Sequence, residues 1–312
     1  MKPTIWLAAS LAGLLFLDSR PSTMTLNADA ADEQSPRHTA TVKTIDKALP
    51  SVVVVRNILW VKEKREYSVA LGSGTIVHSS GYILTNDHVA ANVGRTTVVL
   101  NDGSERRYRI VARLPHEDLA LLKIDSDQPL QTLPLGRSDD LMLGEPVVII
   151  GSPQGLTYSV STGIISGLNR SRTTADAYLP WTVQVSAAVN KGNSGGPLIN
   201  ALAQQIGIVT YKLDAENLGF AIAVDRVRSV FPQMLAAEQR FAFTLGLEVD
   251  MLGDAAKVTS VTEGAPAAKA GIRVDDLITG IGDFTIRHGL DFWLATVDRQ
   301  AGDRLIPPAA RQ

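Results

Sequence analysis

Residues 45–217 are a succession of short β-branched runs broken by Gly, Asn, Asp and Pro. Ser51–Arg56, Gly74–Val77, Tyr82–Thr85, Thr97–Leu100, Leu119–Ile124, Val147–Ile150, Thr182–Val185 and Ile206–Thr210 are the clearest. Turn residues fall between them, at Ser79-Ser80-Gly81, Asn101-Asp102-Gly103, Gly136 and Gly151-Ser152-Pro153. Many short strands at this spacing point to an all-β barrel or sandwich. The pattern changes near Asp225, where Val227, Val230, Phe231, Met234 and Leu235 recur at helical spacing. Pro232 is expected at a kink or boundary of that helix, which leads out of the β-domain.

A second unit starts near Phe241. Leu245–Val249 is strand-like, and 266–271 reads as a short helix with Pro at its start and Gly past its end. Asp275–Ile281 is a further strand region and Leu290–Val297 a second helix. The expected organisation is 1–30 as signal peptide or N-terminal anchor, 31–44 as linker, 45–237 as the β-domain and 238–312 as the small α+β unit. Ile5–Leu17 is an uncharged apolar run behind Lys2, shorter than the about 20 residues a spanning helix needs. Ala28-Asp29-Ala30 offers a cleavage site, so export is expected, soluble or with the apolar run kept as an anchor.

The charged groups, 30 basic and 32 acidic, leave a net charge of −2, which argues against a nucleic-acid partner. With 4 Trp, 6 Tyr and 7 Phe, base-stacking platforms are not expected. The absence of Cys removes disulfides, thiolate catalysis and Cys-based metal sites. No H-E-x-x-H motif or phosphate-binding Gly loop occurs, so no metal and no cofactor is expected. His38 falls in the linker; His78, His116 and His288 are isolated and read as solvent-facing.

Three segments carry candidate chemistry. Thr85-Asn86-Asp87-His88-Val89 puts a His at the end of an apolar strand, Asp118 enters the buried run Leu119–Leu122, and Ser194 lies in the turn Gly192-Asn193-Ser194-Gly195-Gly196. A Ser hydroxyl is a poor nucleophile near neutral pH, so a His must take its proton. That His needs a buried carboxylate to fix its tautomer and stabilise the imidazolium. Glycines around the Ser let backbone N–H groups approach a reacting carbonyl. Each segment alone is weak; the order His, Asp, Ser on a β-rich background is that of chymotrypsin-type barrels.

The chain resembles the HtrA/Deg serine proteases through GSGTIV (72–77), GYILTNDHV (81–89), DLALLKI (118–124), GSPQGL (151–156), STGIISGLNR (161–170), AAVNKGNSGGPLIN (187–200) and LGFAIAVDRV (218–227). The resemblance implies a mostly β fold: a chymotrypsin-like double β-barrel followed by a PDZ domain. It implies His88 as base, Asp118 as its orienter, Ser194 as nucleophile, and the N–H groups of Gly192 and Ser194 as oxyanion hole. Asn190, Lys191, Ile208 and Thr210, within a segment reaching Asp214, would shape the specificity pocket. It further implies a periplasmic quality-control endopeptidase acting on unfolded proteins, assembled as a trimer and switched by loop ordering. A membrane-anchored signalling protease with one substrate, and a non-catalytic peptide-binding module, are the alternatives.

In the C-terminal unit the resemblance assigns Leu245-Gly246-Leu247 to capture of a peptide C-terminal carboxylate, the peptide adding as a strand. The last PDZ strand looks shortened, because Arg304-Leu305-Ile306 runs into Pro307-Pro308. The charged stretches Leu59–Ala70 and Glu105–Arg109 read as solvated hairpin tips, and Ser186 replaces a more usual acid. Asp87, beside His88, would favour the imidazolium. Activity is therefore expected to disappear on acidification through roughly pH 6–7. A pH–rate profile that stays flat to about pH 4.5, well under the ordinary His value, is the result that excludes a histidine base.

Overall fold

The structure is a computed structural model and describes residues 35–61, 65–90, 94–152, 158–173, 177–212, 218–235, 243–251, 255–282, 284–303 and 305. Of these, residues 35–38 belong to one unit and those from Thr39 onward to another. Of the first, a turn closes with the His38 N–H on the Ser35 carbonyl at 2.9 Å. The export signal and any cleavage site lie outside the described residues, among which no helix is long and apolar enough to cross a membrane.

The second unit opens with helix α1, Ala40–Ala48, N-capped by the Thr39 hydroxyl. Residues 40–44, expected to be linker, are therefore helical. Among the described residues, twelve strands follow as two closed antiparallel barrels. The first contains β1 (Val52–Val61), β2 (Glu66–His78), β3 (Tyr82–Thr85), β4 (Arg95–Val99), β5 (Glu105–Leu114) and β6 (Leu119–Ile124), in the order β1-β2-β3-β6-β5-β4. The second contains β7 (Pro146–Gly151), β8 (Ser159–Thr173), β9 (Tyr178–Val185), β10 (Pro197–Ile199), β11 (Gln205–Lys212) and β12 (Gly219–Ala223). Its order, β10-β11-β12-β9-β8-β7, repeats the topology of the first.

Strand periodicity explains why the runs are apolar throughout. Successive side chains point to opposite faces, and in β6 both faces are buried. Ala120, Leu122 and Ile124 fill the first barrel, while Leu119 and Leu121 face a second cluster outside it. The same split occurs in β3, with Ile83 inward and Tyr82 and Leu84 outward. Of the two segments read as hairpin tips, Leu59–Ala70 is one and Glu105–Arg109 is corrected. β1 and β2 pair out to Val61 and Glu66. Glu105–Arg109 forms the first half of β5, between β4 and β6, with Tyr108 buried against the Asn57 amide. The exposed charges of the latter hid a strand whose first half turns only Tyr108 inward.

Helix α2, Val224–Leu235, packs Val227, Val230, Phe231, Met234 and Leu235 onto the outer cluster. Pro232 sits inside the helix, not at its boundary. Its missing N–H affects only the Arg228 carbonyl, near the end of the helix. The C-terminal unit pairs β13 (Leu247–Val249) with β14 (Val258–Val261), and β15 (Gly280–Ile281) with β16 (Phe284–Thr285). The strand expected over Asp275–Ile281 is reduced to β15 and a single bridge at Leu277. Helices α3, Pro266–Lys269, and α4, Gly289–Thr296, complete the unit around Val249, Val258, Ile278, Ile281, Phe292 and Ala295. The shortening expected after Asp303 falls on residues 304 and 306–312, outside the described residues.

α4 is buried on two sides. Phe292 and Ala295 face its own unit, whereas Leu290, Leu294 and the following Val297 join the cluster of α2 and the first barrel. Polar contacts frame this junction: Arg109 to Asp298 at 2.6 Å, and the Tyr82 hydroxyl donating to the Leu294 carbonyl at 3.4 Å. His78, expected to face solvent, lies here instead. Its ring stacks on Phe284 with centroids 4.4 Å apart, and Asp291 is 3.9 Å away.

Burial lowers the pKa of His78; Lys123 and Arg287 act in the same direction, against Asp291. A buried neutral His must charge on acidification. Its contribution to docking is complete above the ordinary value of about 6.5 and is lost as pH falls through the depressed one. NMR titration of the His78 ring should give a midpoint below that ordinary value; a midpoint at or above it contradicts the stacked, desolvated position.

Candidate active site

His88 and Asp118 come from opposite ends of neighbouring strands. β3 delivers His88 two residues after Asn86, and a 3₁₀ turn, Pro115–Glu117, delivers Asp118 at the start of β6. β3 and β6 pair directly, Thr85 opposite Ala120, so the two side chains meet at one end of the first barrel. Asp118 is left-handed, with φ 52° and ψ 44°, a conformation that Asp tolerates better than most residues. Non-Gly residues held this way cluster at functional sites.

The Asp118 carboxylate is held on every side. Its Oδ1 lies 2.8 Å and Oδ2 3.0 Å from His88 Nδ1, and the His88 backbone N–H donates to Oδ1 at 3.2 Å. The Thr210 hydroxyl donates to Oδ2 at 2.7 Å, and the Asn86 amide donates to the Asp118 carbonyl at 2.9 Å. An ionised carboxylate only accepts. The His88 proton is thereby assigned to Nδ1, leaving the Nε2 lone pair free to accept one. Asp118 is buried, whereas the His88 side chain is 51% exposed and open to a substrate.

Ser194 comes from the other barrel, in the turn before β10. Its hydroxyl donates to the Thr210 carbonyl at 3.0 Å, not to His88. Thr210 thus touches Asp118 with its hydroxyl and Ser194 with its carbonyl, and gathers the three groups. A hydroxyl must leave that carbonyl to reach Nε2, and such contacts commonly tighten only with substrate bound. The N–H groups of Gly192 and Ser194 have no acceptor among the described residues. Gly192 has φ +107°, and Gly195, at φ +83°, has no room for a side chain against the Ser73 carbonyl.

The expected specificity residues divide. Asn190 and Lys191 are exposed beside the turn. Ile208 and Thr210 are both buried on β11. Ile208 is fully buried in the cluster between the barrels, and the Thr210 hydroxyl is used by Asp118. Asp214 lies outside the described residues. Asp87 also differs from expectation: both its oxygens accept from Arg113, at 2.5 and 2.9 Å, so its charge is compensated by a guanidinium.

Other supports had no sequence signal. Buried Glu117, the residue before Asp118, receives both arms of Arg226 from α2, the Nε contact at 2.9 Å. Removing Arg226 would strand that carboxylate, a loss of about 3–5 kcal/mol for a buried pair. No group of residues able to hold a metal is found among the described residues.

A model of the trypsin-like peptidase domain matches residues 72–208, and one of the PDZ domain matches 257–293. Serine protease PepD of Mycobacterium tuberculosis is 35% identical over 284 residues, 82% of this chain and 59% of its own length. The chain belongs to the HtrA/Deg family. A probable periplasmic serine endoprotease DegP-like of Pseudomonas fulva is 37% identical over 228 residues, 68% of this chain and 47% of that protein. The periplasmic serine endoprotease DegP of Salmonella typhimurium is 36% identical over 230 residues, 68% and 48% of the two chains. This HtrA-family chain spans about half the length of the curated relatives it matches.

In the PDZ unit, β13 pairs only with β14, leaving its other edge open among the described residues. The Thr262 N–H donates to the Gly246 carbonyl, which makes Leu247 and Val261 a non-hydrogen-bonded pair. The Leu247 N–H therefore faces the open edge. Gly246 does not offer its own, because the Thr244 hydroxyl accepts it at 3.1 Å.

The Thr210 bridge gives a test. Hydrogen bonds to charged groups contribute about 1.5–3 kcal/mol, or about ten- to a hundredfold in rate. Thr210→Val should lower kcat by that factor with KM little changed, and an unchanged kcat would mean that the hydroxyl does not orient Asp118.

Proposed function

We propose that this protein is a serine endopeptidase in which Ser194 is the nucleophile, His88 the general base and Asp118 its orienting carboxylate. The observation that carries this reading is the His88 Nδ1–Asp118 pair, joined through Thr210 to a Gly-flanked Ser194 beside two unpaired N–H groups. Ser194 Oγ turns from the Thr210 carbonyl to His88 Nε2, gives up its proton and attacks the peptide carbonyl carbon. The Gly192 and Ser194 N–H groups receive the resulting oxyanion. His88 then protonates the departing amine, leaving an acyl group on Ser194. Water, deprotonated by the same imidazole, releases the acid and restores the enzyme.

The substrates are unfolded or damaged exported proteins, and the PDZ unit takes peptide C-termini along the edge of β13. The relatives named as periplasmic endoproteases support this reading, as does the open edge with its Leu247 N–H. A homotrimeric assembly and a location in the periplasm are part of the same proposal.

Wild-type protein should degrade casein and react covalently with a fluorophosphonate probe. Ser194→Ala should lose the label and about 10⁶ in kcat. Equal casein degradation by the two proteins would reject the assignment. Adding C-terminal peptides in the same assay should raise labelling if the PDZ unit governs the site.

A further inference from the structure

The turn carrying Ser194 belongs to the second barrel, yet a residue of the first barrel grips it. Ser73, on β2, is fully buried and makes three contacts across the seam. Its backbone N–H donates to the Ser194 carbonyl at 2.8 Å, and its hydroxyl donates to the Gly192 carbonyl at 2.8 Å. The same hydroxyl oxygen accepts the Ser152 N–H at 3.1 Å. The Ser73 carbonyl is itself tied down by the Thr85 hydroxyl at 2.7 Å, one strand away. Packing leaves no slack, since a Cβ built on Gly196 would stand 3.1 Å from that of Ser73.

Peptide N–H groups along the turn alternate between spent and unspent. The 192–193 peptide is held at both ends, its oxygen by Ser73 and its N–H by the Asn190 carbonyl at 3.0 Å. The 194–195 peptide is also held at both ends, its oxygen by Ser73 and its N–H by the Val209 carbonyl at 2.8 Å. Between and before them lie the 193–194 peptide, its oxygen held by the Gly196 N–H at 3.0 Å, and the 191–192 peptide; their N–H groups, on Ser194 and Gly192, have no acceptor among the described residues. Gly192 joins the 191–192 and 192–193 planes and, lacking a Cβ, holds its φ of +107° without steric penalty.

We propose that Ser73 is a positioning residue for the oxyanion hole. Its hydroxyl holds the Gly192 carbonyl so that the Gly192 N–H stays presented to the reacting carbonyl. The inference rests on the peptidase reading but concerns a residue that does not touch substrate. The nucleophile's turn in one barrel thus leans on β2 of the other.

The test is a graded series at one position. Ser73→Ala should lower kcat about ten- to a hundredfold, less than the 10²–10³ lost with an entire oxyanion donor, while KM stays within about twofold. Ser73→Cys, whose thiol is a weak donor, should fall between. Thr182→Val serves as control: it removes a fully buried hydroxyl that donates to the Arg170 carbonyl, in the second barrel, and should keep kcat despite a comparable loss of Tm. A crystal structure of Ser73→Ala should find the Gly192 carbonyl turned from its wild-type direction. Wild-type kcat in Ser73→Ala, or an unmoved carbonyl, overturns the proposal. Wild-type protein inert to both casein and probe would sink the peptidase reading alone, leaving the clamp to be judged on the carbonyl.

Discussion

The site depends on a single carboxylate that both barrels must satisfy. Asp118 takes the imidazole and backbone N–H of His88 from its own barrel and the Thr210 hydroxyl from the other. A buried carboxylate short of partners is costly, and low dielectric sharpens that cost. The pairing of barrels is therefore also the assembly of the site. Neither barrel holds a complete set of reactive groups.

The seam is polar where it meets the chemistry and apolar elsewhere. Leu84, Leu119, Leu121, Ile208 and Ile222 fill the apolar part, together with α2. Nonpolar burial is non-directional and brings surfaces together without aiming anything. Aiming falls to hydrogen bonds with defined geometry: Ser73 on the Ser194 turn, Asn86 on the Asp118 backbone, and Arg226 on the 3₁₀ turn through Glu117. The same apolar cluster continues into α4, so the PDZ unit and the peptidase barrels share part of one core.

Strand-forming runs were readable because β-branched residues cluster and turn residues interrupt them. β3, β6, β7 and β11 all lie where such runs predict. Strands with charged outer faces were not readable, as in β5, where Glu105, Arg106, Arg107 and Arg109 outnumber the single buried Tyr108 in its first half. His78 looked isolated because its partners, Phe284 and Asp291, are some two hundred positions away in the chain. Asp87 looked like a charge for His88 because adjacency in sequence is visible and the reach of Arg113 is not.

The sequence by itself determined the inventory: which side chains could act as acid, base and nucleophile, and that glycines surround the Ser. It also determined that the chain is predominantly β, since local preference and alternation act over a few residues and are written there. Tertiary structure alone decided which polar groups are spent and which are left over. Thr210 became a brace on Asp118, and Ser73 became a grip on a turn over a hundred residues away. The reason is that a hydrogen bond is chosen among groups brought within about 3 Å by the packing of distant strands, and no local pattern encodes that choice.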